Sequence, residues 1–135
     1  MSLKVGVGFS DGSDSYTVGA NACQDAVKKL GKDNPVFGFV FTSSKYDHKK
    51  VINGIRSVLK STPLIGTSSA GEIVHGNIIN KNSVVIVLVR GEDMFFSSYL
   101  KRLDPSLSLE LAGKEISKSL KKEGKKKNEK NFTGN

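Results

Sequence analysis

Val5, Val7 and Phe9 alternate with Gly6 and Gly8 near the start of the chain, which predicts a first strand lying close to another backbone. The run Ser10-Asp11-Gly12-Ser13-Asp14-Ser15 is rich in turn formers and helix caps. Val18, Ala22, Cys23, Ala26, Val27 and Leu30 then recur at helical spacing, with Gly31 as the stop. Asn34-Pro35 breaks the chain before Val36-Phe37-Gly38-Phe39-Val40-Phe41, a continuous apolar run that predicts a strand buried on both faces. Thr42 to Tyr46 form a polar turn, and Asp47 caps a second helix with Val51, Ile52, Ile55, Val58 and Leu59 on one face. Pro63-Leu64-Ile65-Gly66 starts another strand. The order β-α-β-α-β predicts a parallel sheet with right-handed crossovers.

Beyond residue 72 the pattern changes. Val84 to Val89 and Met94 to Leu100 flank Arg90-Gly91-Glu92-Asp93, which predicts an antiparallel hairpin. Asp104-Pro105 has the chemistry of a helix start, and Leu109, Ala112, Ile116 and Leu120 form the stripe of that last helix. The expected class is α/β: a mixed sheet with a parallel β-α-β-α-β start, then an antiparallel hairpin and a C-terminal helix. Residues 1–120 form one domain in this reading, and residues 121–135 a basic, disordered tail.

With 135 residues, one core is the expectation. The longest apolar runs are strand-length and too short to span a bilayer. No signal-peptide pattern opens the chain, and the single cysteine, Cys23, has no internal partner for a disulfide. Together these point to the cytoplasm. The net charge of +8 is concentrated at one end, since residues 114–130 hold eight lysines against three glutamates. A self-repelling solvated end explains it, and the absence of aromatic stacking partners there speaks against nucleic acid.

Catalytic motifs fail on inspection. Gly6-Val7-Gly8-Phe9-Ser10-Asp11 begins like a dinucleotide fingerprint but puts an acid where the third glycine belongs. Gly66 and Gly71 have P-loop spacing, yet Glu72 and Ile73 stand where Lys and Ser/Thr are required. Gly66-Thr67-Ser68-Ser69-Ala70 lacks the second glycine of a nucleophile elbow. His48 and His75 have no ligand-spaced neighbours for a metal and read as surface or locally bonded histidines. Cys23 sits on an apolar stripe, as a small core residue does. The expectation is a non-enzyme with no cofactor.

Two polar segments follow predicted strands. Thr42-Ser43-Ser44 leaves the second, and the loop Gly66-Thr67-Ser68-Ser69-Ala70-Gly71-Glu72 leaves the third. Parallel strands bring these ends to one edge of the sheet, where α/β proteins bind ligands. Small residues permit close approach, hydroxyls supply donors and acceptors, and Glu72 adds a negative charge. The candidate ligand-binding residues are Ser43, Ser44, Asp47, Thr67, Ser68, Ser69, Gly71 and Glu72. Spacing alone serves equally well a tight turn whose serines bond nearby backbone, with Glu72 pairing a surface lysine.

Phe39-Val40-Phe41-Thr42-Ser43-Ser44-Lys45-Tyr46-Asp47, a helix, and then Pro63-Leu64-Ile65-Gly66-Thr67-Ser68-Ser69-Ala70-Gly71-Glu72-Ile73 resemble the N-terminal region of the FIST (F-box and intracellular signal transduction) domain. The similarity extends over roughly residues 4–120, through Ser83 to Val89 and Ala112-Gly113-Lys114-Glu115. The resemblance implies a sensory domain of signal transduction that binds small ligands such as amino acids or related metabolites, without catalytic residues. It also implies further strand–helix units after the last helix, so the chain reads as a truncated copy, an excised fragment or a lone receiver acting through another subunit. Ligand sensing is therefore the leading expectation, with a small-molecule ligand and a homodimer or a signalling partner protein. The alternative is a structural, protein-interaction module that pairs through its truncated sheet.

Overall fold

The computed structural model describes residues 3–31, 34–74, 78–80, 82–92, 94 and 96–132. The chain divides into two compact units, Met1–Met94 and Phe95–Asn135, each described by itself. In the first, β1 (Leu3–Asp11), α1 (Ser15–Leu30), β2 (Phe37–Ser43), α2 (His48–Val58) and β3 (Leu64–Ser69) precede β4 (Glu72–Val74), β5 (Ile78–Asn80) and β6 (Ser83–Gly91). The main sheet has the order β1-β6-β2-β3. β2 and β3 are parallel, and β6 runs antiparallel to both of its neighbours, β1 and β2. The three strands β1, β2 and β3 therefore point the same way and end at one edge of the sheet, where β6 begins.

The helices start and stop where their caps dictate. The Asp14 carboxylate accepts the Thr17 N–H at 2.8 Å, and Asp47 does the same for Lys50 at 3.2 Å. Gly31 closes α1 with φ 94°, a conformation that a side chain would strain. The buried face of α1 is Val18, Gly19, Ala22, Cys23, Ala26 and Leu30, the predicted stripe apart from Val27, which is half-buried. It meets Val40, Val51, Ile55, Val84, Ile86 and Leu88 in the core. Gly6 and Gly8 let α1 lie directly on β1: a Cβ on Gly8 would fall 1.9 Å from the Ala22 carbonyl oxygen. The two helices touch in the same way, for a Cβ on Gly54 would fall 2.1 Å from the Tyr16 carbonyl oxygen. Cys23 is fully buried, and that burial raises its thiol to about 11, against a smaller opposing effect of Arg56. A thiol held protonated inside the core is a poor nucleophile. β1 is an outer strand of the sheet, and Asp25 on α1 accepts its Phe9 N–H at 3.2 Å.

Both helices of this unit pack on one face of the sheet, the face carrying Gly6, Gly8, Gly38, Val40, Thr42, Val84, Ile86 and Leu88. The opposite face carries Val5, Val7, Phe39, Phe41 and Ile65, each 37–49% exposed. The apolar run of β2 is thus not buried on both faces. Its Phe37 is buried and meets Phe39 edge to face, with ring centroids 4.9 Å apart.

β6 inserts between β1 and β2 and takes hydrogen bonds on both of its edges. Two further expectations are corrected. The hairpin expected around residues 90–93 does not form: β6 instead spans the sheet, and Met94 and residues 96–100 lie in no strand. Asp93 and Phe95 of that segment lie outside the described residues. The antiparallel hairpin of the structure is β4–β5, with Ile73 opposite Ile79. Finally, the predicted loop from Gly66 to Glu72 is mostly strand. Gly66, Thr67, Ser68 and Ser69 pair with Val40 to Ser43, since parallel neighbour β2 satisfies their backbone groups better than a turn would.

In the second unit, Asp104 organises a turn, accepting the Ser106 N–H at 2.9 Å, and α3 (Leu109–Phe132) begins a few residues later. Its cap is Ser108, whose hydroxyl accepts the Leu111 N–H at 3.2 Å. Ala112 is buried and Ile116 and Leu120 half-buried, whereas Leu109 is 77% exposed. α3 continues through residues 121–132, which composition alone assigns to a disordered tail. Lysine and glutamate are good helix formers, so a solvated, highly charged segment can be helical without any apolar stripe. Among the described residues no helix is long and apolar enough to cross a membrane.

Candidate functional site

The edge where β1, β2 and β3 end and β6 begins is tied together by Tyr46. Its hydroxyl lies 2.8 Å from the Gly12 carbonyl oxygen and 2.7 Å from that of Asn82, so its single proton is shared between two acceptors. Burial, and secondly the Asp11 carboxylate, raise the phenol above its ordinary value, which keeps the donor protonated. The turn after β2 is fixed by its backbone: Ser44 N–H donates to the Ser69 carbonyl at 3.2 Å, and Tyr46 N–H to that of Ser43 at 3.2 Å. Asp47 N–H reaches the Ser15 hydroxyl at 3.1 Å, joining the starts of the two helices.

Glu72, the first residue of β4, has its carboxylate turned inward and is only 5% exposed. The hydroxyls of Ser69 and Ser83 both donate to it, one to each oxygen. Both partners are neutral, and among the described residues no lysine or arginine pairs with it. Beside it lies a hollow of about 420 Å³ lined by Val7, Phe41, Ser69, Gly71, Glu72, Ile73, Val85 and Val87. This hollow is on the open face of the sheet. Its floor is apolar, and among its described lining residues the carboxylate is the one charged group.

A second, smaller hollow of about 220 Å³ lies on the helix face, between α2 and the strands β2 and β3. Val40, Thr42, His48, Val51, Ile52, Leu64, Gly66 and Ser68 line it, and at the outer edge of β3 it also takes in Ile65 and Thr67, whose register places them on the open face. It exists because α2 leans on α1 through Gly54 and leaves the outer strand β3 incompletely covered.

The predicted site residues are therefore divided. The strand pleat sends Ser68 to the helix face and Ser69 to the open face, because successive side chains of a strand point oppositely. Ser69, Gly71 and Glu72 share the larger hollow, and Thr67 and Ser68 the smaller. Ser43, Ser44 and Asp47 line neither. Ser43 is buried at the end of β2, with its hydroxyl accepting from Lys45 N–H at 3.4 Å, while Ser44 is exposed and Asp47 is a cap. Sequence reasoning missed Ser83 and Tyr46, and it named Thr42 in the segment Thr42-Ser43-Ser44 without carrying it into the candidate set. His48 is exposed, in keeping with a surface histidine. His75 lies outside the described residues. Among the described residues no cluster of three or more His, Cys, Asp or Glu could hold a metal ion.

Comparison with curated proteins gives no match. Among solved structures, a point mutant of FtsZ from M. jannaschii is 14% identical with a TM-score of 0.43. An empty FtsZ dimer from M. jannaschii is 15% identical with a TM-score of 0.41. Each match covers 64% of this chain and 26% of the other, so the chain spans about a quarter of those proteins. A protein-family model, the FIST N domain, matches residues 36–132, from the start of β2 to the end of α3. That match covers well over half of the sequence and contains both hollows except for Val7 on β1; the chain belongs to the FIST N domain family.

Proposed function

We propose that this domain, like sensory domains of signal transduction in general, binds a small molecule, and that the molecule is an amino acid or related amine seated in the Glu72 hollow. The observation that carries this reading is the buried Glu72 carboxylate, held by two serine hydroxyls and facing an apolar floor. A carboxylate removed from water without a cation is costly, and a ligand ammonium would offset that cost while its side chain covers Val7 and Phe41. Two serines fix the carboxylate in place, so little ordering is required on binding. Among the described residues no nucleophile–base pair stands at the edge, and a binding role without catalysis fits that chemistry.

A thermal-shift screen of the full chain with the common amino acids and simple amines tests the proposal. A ligand present at about a hundred times its Kd stabilises the folded state by roughly 2.7 kcal/mol, which raises the melting temperature by several degrees. If no amine or amino acid shifts the transition at millimolar concentration, the reading is wrong.

A second reading rests on the open sheet face, where Val5, Val7, Phe39, Phe41 and Ile65 are all more than a third exposed. Contiguous apolar surface of this kind marks interaction sites. The domain would then pair with another copy of itself, and sedimentation should show dimers at micromolar concentration. A monomer throughout the accessible range would eliminate that reading.

A further inference from the structure

Thr42 occupies the helix face of β2 and is 8% exposed, yet its hydroxyl finds no hydrogen-bond partner among the described residues. Valine would fill the same space without a polar group. An orphaned buried hydroxyl is destabilising, and native structures rarely retain one. Thr42 lines the smaller hollow, together with Ser68 and with His48, the first residue of α2. Three features of that hollow favour an acid head group. The hydroxyls of Thr42 and Ser68 can both donate. The N-terminus of an eleven-residue helix places a positive dipole end there. The first turn of α2 contains no acid, and the Asp47 carboxylate at its cap is engaged by the Lys50 N–H.

The rest of the hollow is aliphatic, formed by Val40, Val51, Ile52 and Leu64. Its volume of about 220 Å³ falls below the roughly 300–1,000 Å³ of sites for drug-sized molecules, so it suits a body of a few carbons. We infer that this hollow is a second ligand site, for a short branched aliphatic carboxylate. Its carboxylate accepts from the Thr42 and Ser68 hydroxyls, and its alkyl end packs between α2 and β3. The site is independent of the Glu72 hollow, being on the other face of the sheet.

Calorimetric titration of the full chain with isovalerate, and with neutral isovaleramide as control, tests this assignment. Isovalerate should bind saturably and the amide more weakly. Thr42→Val should weaken isovalerate about tenfold, as loss of one hydrogen bond to a charged group does. Its melting temperature should hold or rise, because the orphaned hydroxyl is gone. Ile52→Trp, a change at a half-covered rim position, should fill the hollow and abolish binding. Glu72→Gln should leave isovalerate affinity unchanged, which separates this site from the amine site. The assignment is overturned by the absence of saturable binding, by equal affinity in Thr42→Val, or by loss of binding in Glu72→Gln alone.

Discussion

Gly8→Ala should lower the melting temperature by on the order of 10–20 °C, the largest stability effect expected from any single methyl group in this protein. The added Cβ would lie 1.9 Å from the Ala22 carbonyl oxygen and 2.4 Å from the Ala26 nitrogen. Both are backbone atoms of α1, so no rotamer change relieves the clash. The helix must move off β1, opening the layer where Ala22, Ala26 and Leu30 meet Ile86 and Leu88. Overpacked cores typically lose about 1–3 kcal/mol, and a backbone-against-backbone clash belongs at or above the top of that range. Domains of this size have only about 5–15 kcal/mol to lose. Gly113→Ala is the matched control, because nothing lies within 4 Å of a Cβ there and alanine favours the helix. Urea denaturation of both variants gives the comparison. A Gly8→Ala protein as stable as the parent would mean that α1 does not rest on β1 in the described register.

Glu72→Gln should reduce affinity for the best amine of the thermal-shift screen by about ten- to a hundredfold, the equivalent of roughly 1.5–3 kcal/mol for a charged hydrogen bond. The amide keeps the shape of the carboxylate and can still bond Ser69 and Ser83, whose hydroxyls turn to donate or accept. Only the charge is lost. Were the carboxylate purely structural, a clamp between the end of β3 and the start of β6, the variant would melt earlier while its affinity per folded molecule stayed the same. Titration beside melting curves of both proteins separates the outcomes. Unchanged affinity with a lowered melting temperature removes Glu72 from the ligand.

The elements governed by local chemistry were legible in the sequence. Asp14, Gly31 and Asp47 sit at the helix ends where their side chains or backbone freedom are needed, and the apolar stripe of α1 is largely the one that is buried. The common direction of β1, β2 and β3 was legible too, since the βαβ connections require it. The place of β6 was not, because pairing partners distant in sequence leave no mark on local periodicity. Its continuous run from Val84 to Val89 says that its faces are covered, but not which strands flank it. Gly66 to Ser69 misled for a different reason: small polar residues favour turns in isolation, and only the neighbouring β2 makes them a strand. With that the candidate site changed shape. Glu72, Ser69 and Gly71 remained together, while Ser68 went to the other side and Asp47 kept only its role as a cap. Ser83 could not be found by motif, being eleven residues from Glu72 and brought to it by the sheet.

Because the pleat at the end of β3 turns Ser68 and Ser69 to opposite sides, two adjacent positions answer to different selection. A substitution at one can drift without disturbing the surroundings of the other, so neighbouring codons need not vary together. A change in length behaves differently. One residue inserted or deleted between Gly66 and Ser69 would exchange the two faces, sending hydroxyls to the side that needs bare backbone and the reverse. Two residues would restore the alternation but displace Glu72 from Ser83. Within this short segment, then, length is held more tightly than the identity of any exposed side chain.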